Sequence, residues 1–168
     1  MDAYGLLLFL HVVAATAMFA GWAIEFRMVA GRNAPSPADR AALLGPLGMV
    51  VAFVSGVVMM VWRWGPQPWM PVAIGGVALL LVIGIGAMVV ARRGSASAGR
   101  SRRIAIASLA ARVGVGVGLL AIMAMKPETA PAIALLAAGL VAGLAVAALS
   151  PGGRAGMARH PASDPHRP

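Results

Sequence analysis

Cysteine is absent from the 168 residues, which excludes disulfides, iron–sulfur clusters and thiolate metal sites. Charge is scarce as well. Asp, Glu, Lys and Arg together make 11% of the chain, against roughly a quarter in soluble domains. The only acids are Asp2, Glu25, Asp39, Glu128 and Asp164, and no two of them share a site that spacing would build. Carboxylate-pair, serine- and cysteine-based catalysis therefore has almost no material, and phosphate-binding loops are missing too. No enzyme activity follows from these residues.

What the chain has is hydrocarbon: 60% hydrophobic residues and a mean hydropathy of +0.86. Lipid is the solvent such a composition predicts, and the relevant count is of apolar runs about 20 residues long. Five qualify, at about 4–26, 42–63, 71–91, 104–125 and 131–149. None alternates polar and apolar residues as barrel strands do, so the runs read as helices. The fold class is thus an all-α, polytopic membrane bundle of about five helices. Residues 1–150 form its single domain, and 151–168 read as a disordered Pro- and Gly-rich tail; His160 and His166 fall there and receive no role. The N-terminus starts acidic and runs straight into a full span, so it reads as an uncleaved first transmembrane helix. Small residues four apart, Gly114 with Gly118 and Gly139 with Gly143, suggest close helix–helix contacts.

The net charge of +9 would suggest nucleic acid in a soluble protein, but its distribution here fits a membrane protein. Arg27, Arg32 and Arg40 follow the first span. Arg92, Arg93, Arg100, Arg102 and Arg103 follow the third, and Arg154, Arg159 and Arg167 lie in the tail. The alternate loops hold only Arg63 and Lys126. The positive-inside rule then predicts the N-terminus outside and the C-terminus cytoplasmic; the expected location is a bacterial-type inner (plasma) membrane. The lipid bilayer is the expected partner, with a homodimer or a larger membrane complex as the protein partners, and no nucleic acid. The segment "WRWGPQPWMP" supplies Trp62, Trp64 and Trp69 as an aromatic belt at the outer interface.

The first span, "LLLFLHVVAATAMFAGWAIEFRM", carries polar groups where solvation is worst. With His11 at zero and about 100° per residue, Met18 falls near −20°, Trp22 near +20° and Glu25 near −40°. That stripe, only about 60° wide, is expected to face other helices, because intramembrane ionisable groups usually point into the bundle. Glu25 lies about 21 Å along the helix from His11, so one small site cannot include both. Arg112 falls about 12 Å inside the fourth span. It can snorkel to headgroups or pair with Glu25. His11 reads as an interhelical hydrogen-bonding group, as an axial ligand to haem iron or another metal, or as a proton relay. As the only intramembrane histidine it excludes an intrachain bis-His site. Met59, Met60 and Met123 are the candidate sulfur partners, with Met18 and Trp22 beside His11 on the stripe.

The segments "LHVVAATAMFAGW", "GPLGMVVAFVSGVVMM" and the late arginine followed by "LLAIMAMKP" resemble a family of small bacterial membrane proteins related to copper-resistance-D-like membrane domains and, distantly, to the J-type protoporphyrinogen oxidases. The resemblance spans roughly residues 4–127. Its motifs are His11, the Trp segment after it, Arg112, and Met125-Lys126-Pro127. In the oxidases a first-helix histidine binds haem b, so the resemblance implies that role for His11. The chain departs from them in lacking a second intramembrane histidine and a lysine near His11, so haem binding carries over and protoporphyrinogen oxidation does not. No Met-x-x-Met or His-rich copper-export motif is present beyond the adjacent Met59 and Met60. Three functions follow as expectations: a haem- or metal-binding redox bundle, an accessory subunit of a larger complex, and, last, a small transporter.

Overall fold

A computed structural model describes residues 2–30, 37–92 and 98–149. The tail 151–168, together with Arg32 and Arg93, lies outside them. The described chain is helical, with no strand. Its elements are α1 (Ala3–Ala30), a 3-10 turn (Pro37–Leu43), α2 (Leu44–Met59), a π turn (Met60–Trp64), α3 (Met70–Arg92), α4 (Ala98–Met125) and α5 (Thr129–Leu149). Five of its helices are long and apolar enough to cross a membrane, and their outward faces are rich in exposed Leu, Val and Ile. The protein is a multi-pass membrane protein.

The helices outrun the apolar runs. α4 begins at Ala98, so Arg100, Arg102 and Arg103 are helical and not in a loop, and α1 carries Arg27 in its last turn. Hydropathy marks where lipid can lie, whereas a helix continues as long as its backbone bonds do. The second span is composite. Its α-helical ladder ends at Met59 and widens into the π turn, with Gly65 N–H donating to the Met60 carbonyl at 3.1 Å. Gly65 stops the helix with φ +62° and ψ −175°, a conformation open essentially to glycine alone, and Pro66 and Pro68 follow.

Successive helices run antiparallel. One end of the bundle gathers Tyr4, Arg63, Trp64 and Lys126. There the Arg63 guanidinium lies 6.0 Å from the Tyr4 ring, and Thr129 Oγ1 donates to the Pro68 carbonyl at 3.0 Å. At the opposite, arginine-bearing end, Arg102 Nε donates to the Val29 carbonyl at 3.1 Å.

Two glycine seams hold the helices in pairs. Between α1 and α2, a methyl group at Gly21 would overlap the Gly45 backbone, and one at Gly48 would lie 2.6 Å from Met18 N. Between α4 and α5, Gly114 meets Gly139, Gly118 packs on the Leu135 and Leu136 backbone, and Gly143 packs on Ala110. The two pairs of small residues in the sequence are therefore facing halves of one seam. α4 is central, packing on α1, α3 and α5, and it buries Leu109, Val115 and Ile122 almost completely. α2 packs on α1 but makes no substantial contact with α3, its neighbour in sequence. That gap defines the functional region.

Candidate functional site

His11 faces α2 at a notch made by a serine and a glycine in a valine-rich helix. Its Nδ1 lies 2.8 Å from the Ala52 carbonyl oxygen and 3.1 Å from Ser55 Oγ. A carbonyl oxygen can only accept, so Nδ1 carries a hydrogen, and in the neutral form of the ring the lone pair lies on Nε2. The Ser55 hydroxyl donates to the Val51 carbonyl at 2.6 Å and accepts from the imidazole. The flat ring lies against Gly56, where an added Cβ would come within 3.1 Å of His11 Cε1. A serine and two carbonyls thus fix one nitrogen and leave the other free for a ligand, which is how metal-binding histidines are usually oriented.

His11 also lines a chamber of about 580 Å³ in the space between α2 and α3, backed by α1 and α4. Small-molecule sites are commonly 300–1,000 Å³ and mostly apolar, with a few placed polar groups. This chamber fits that description. Six of the eleven methionines line it: Met18, Met49, Met59, Met60, Met70 and Met123. Their unbranched, polarizable side chains adapt to a ligand's outline. Phe19, Trp64 and Trp69 add aromatic walls, and Tyr4, His11 and Lys126 contribute the ionisable groups. Among the expected cofactor residues, the structure brings His11, Met18, Met59, Met60 and Met123 to this one chamber.

Trp22 is not among them. It is 3% exposed and sits one turn further along α1, edge-on to Phe19 at 5.2 Å between ring centroids and packed against Gly116 of α4. The second polar locus lies just beyond it. Arg112 Nη2 donates to Glu25 Oε1, and the guanidinium carbon stands 6.0 Å from the Trp22 ring centroid. The Arg112 side chain is 14% exposed and that of Glu25 35%, while Arg112 Nε is buried without a hydrogen-bond partner among the described residues. Trp22 therefore separates the chamber from an ion pair that ties α1 to α4. Depth along the helix divides the polar stripe as its spacing implies.

The aromatic segment also divides. Trp62 is 63% exposed, but Trp69 is 4% exposed. It packs edge-on to Trp64 at 5.8 Å, and the two form a chamber wall instead of a belt. Two residues apart on one helix, Trp62 and Trp64 fall on roughly opposite faces, so Trp64 turns inward while Trp62 stays outside.

Lys126 has no precedent in the sequence reading as a site residue. α4 ends at Met125, and Lys126 N–H closes the last turn onto the Ile122 carbonyl at 2.8 Å. Its φ is +47°, the left-handed cap that glycine normally fills. For a side chain this costs about 1 kcal/mol, and the following Pro127 restricts the residue further. The ammonium lies 4.3 Å from the Trp64 ring centroid. No local signal in the sequence distinguishes this cap from an ordinary loop.

Among the described residues no cluster of three or more His, Cys, Asp or Glu could hold a metal ion, so a bare-ion site of that type is not built here. No protein-family model, curated protein or solved structure matches the chain.

Proposed function

We propose that this protein binds haem b in the chamber through His11 and serves in one-electron transfer, from a bacterial-type inner membrane with its N-terminus outside. The observation that carries the reading is the commitment of His11 Nδ1 to Ala52 and Ser55, which leaves Nε2 as the ligating nitrogen of a histidine lining an apolar chamber. His11 would hold the iron, and Met18, Met59, Met60 and Met123 are the candidate sulfur partners. Haem when bound supplies a reversible one-electron couple, set by its axial ligands and by the apolar wall. The residues of this chain orient the imidazole, exclude water and surround the macrocycle with methionine and aromatic side chains. The orientation follows from the arginine-rich end lying on the cytoplasmic side.

The test is the visible spectrum of the full chain purified in mild detergent from haem-supplemented cells. A Soret band is expected, and His11→Ala is expected to abolish it with far-UV circular dichroism unchanged. A colourless wild-type protein, or a band that survives His11→Ala, overturns the reading.

A further inference from the structure

The geometry points to a carboxylate subsite at Lys126: the chamber takes an amphipathic acid, its apolar body among the methionines and rings and its carboxylate against Lys126 Nζ. This rests on the chamber being a ligand site, as proposed above, but not on a bond at His11. Lys126 lines the chamber together with Trp64, and the cation–π contact with that ring holds the ammonium at the wall. Among the described residues it has no carboxylate partner. Lys126 is itself exposed just past the end of α4, so the subsite lies at the chamber's mouth, where an anionic headgroup meets the ammonium while the apolar body lies inside.

The backbone supports the assignment independently. A lysine occupies a left-handed position, φ +47°, where glycine would be unstrained, and such outliers persist where the side chain has a use. Access is also built in. Phe53 of α2 and Ile74 of α3 line the chamber and are exposed, on the two helices that do not pack together. A ligand dissolved in the bilayer reaches the chamber sideways between them.

The carboxylate has two sources, the propionate of a porphyrin or the headgroup of a membrane fatty acid, and the probes separate them. Full-length protein in phosphatidylcholine vesicles is titrated with metal-free protoporphyrin IX or its dimethyl ester, and with cis-parinaric acid or its methyl ester. Binding is read as energy transfer from tryptophan against protein-free vesicles. At least one free acid is expected to bind about tenfold more tightly than its ester, and the acid that does so identifies the source. Lys126→Met removes the preference by weakening the acid alone, and Lys126→Arg retains it. Lys126→Gly melts no lower than wild type, because the cap suits glycine, yet loses the preference as Lys126→Met does. Wild-type protein that binds neither acid, or binds each no better than its ester, overturns the subsite, as does a preference that survives Lys126→Met. The acid preference persists in His11→Ala. A colourless protein with an intact acid preference removes the haem reading alone, and a Soret band without acid preference removes the subsite alone.

Discussion

Gly114→Val is expected to destabilise the protein by about 3 kcal/mol, while Gly86→Ala raises its stability by up to about 1 kcal/mol. The contrast follows from where each hydrogen points. An added Cβ at Gly114 would overlap the Gly139 carbonyl and approach Gly143 Cα to 3.1 Å, whereas at Gly86 nothing lies within 4 Å. Lipid tails are as apolar as leucine, so α5 gains nothing from burying hydrocarbon as such. Close backbone packing and its dispersion contacts hold it instead. The effect is expected to be large because α5 buries little beyond Ala132 and Gly143, so its attachment depends on the seam to α4. Far-UV circular dichroism during titration of mild detergent with SDS measures both variants. Similar losses at Gly114 and Gly86 would show that glycine flexibility, and not the close approach, is what matters.

Part of this was legible beforehand for a physical reason. Lipid imposes a length and a composition on each span, so five apolar runs gave five helices, and glycines four apart in α4 and α5 gave facing seam positions. The stripe of His11, Met18, Trp22 and Glu25 was legible because helical geometry places residues on a face whatever the tertiary fold. Helix ends were less so: nothing in hydropathy shows that α4 starts at Ala98 or that the second helix widens at Met60. Gly21, Gly45 and Gly48 were less legible because in a chain this rich in Gly and Ala small residues four apart, such as Gly48, Ala52 and Gly56, recur by chance. The chamber was invisible for the deepest reason. It exists because α2 and α3, adjacent in sequence, do not pack together, and no local pattern encodes a contact that is not made. Lys126 and Trp69 acquire their places only through that gap.

Arg112→Leu is expected to cost about 2 kcal/mol in the wild-type background and about 1 kcal/mol less when Glu25 is already Gln. The single substitution removes the cation that Glu25 accepts from and the guanidinium beside Trp22, and it leaves a carboxylate at the α1–α4 contact. With Glu25→Gln in place, no charge is stranded, and only the packing on Trp22 is lost. The coupling stays near 1 kcal/mol because the Glu25 side chain is 35% exposed. Solvent and headgroups at the arginine end can reach one partner and screen it. The same cycle separates this locus from the chamber. Trp22 stands between them, and neither Glu25 nor Arg112 lines the cavity, so the Soret band and the acid preference should both survive Glu25→Gln. Equal losses from Arg112→Leu in the two backgrounds would show that the ion pair contributes nothing beyond its packing. A spectrum altered by Glu25→Gln would mean that the two polar regions of α1 act as one.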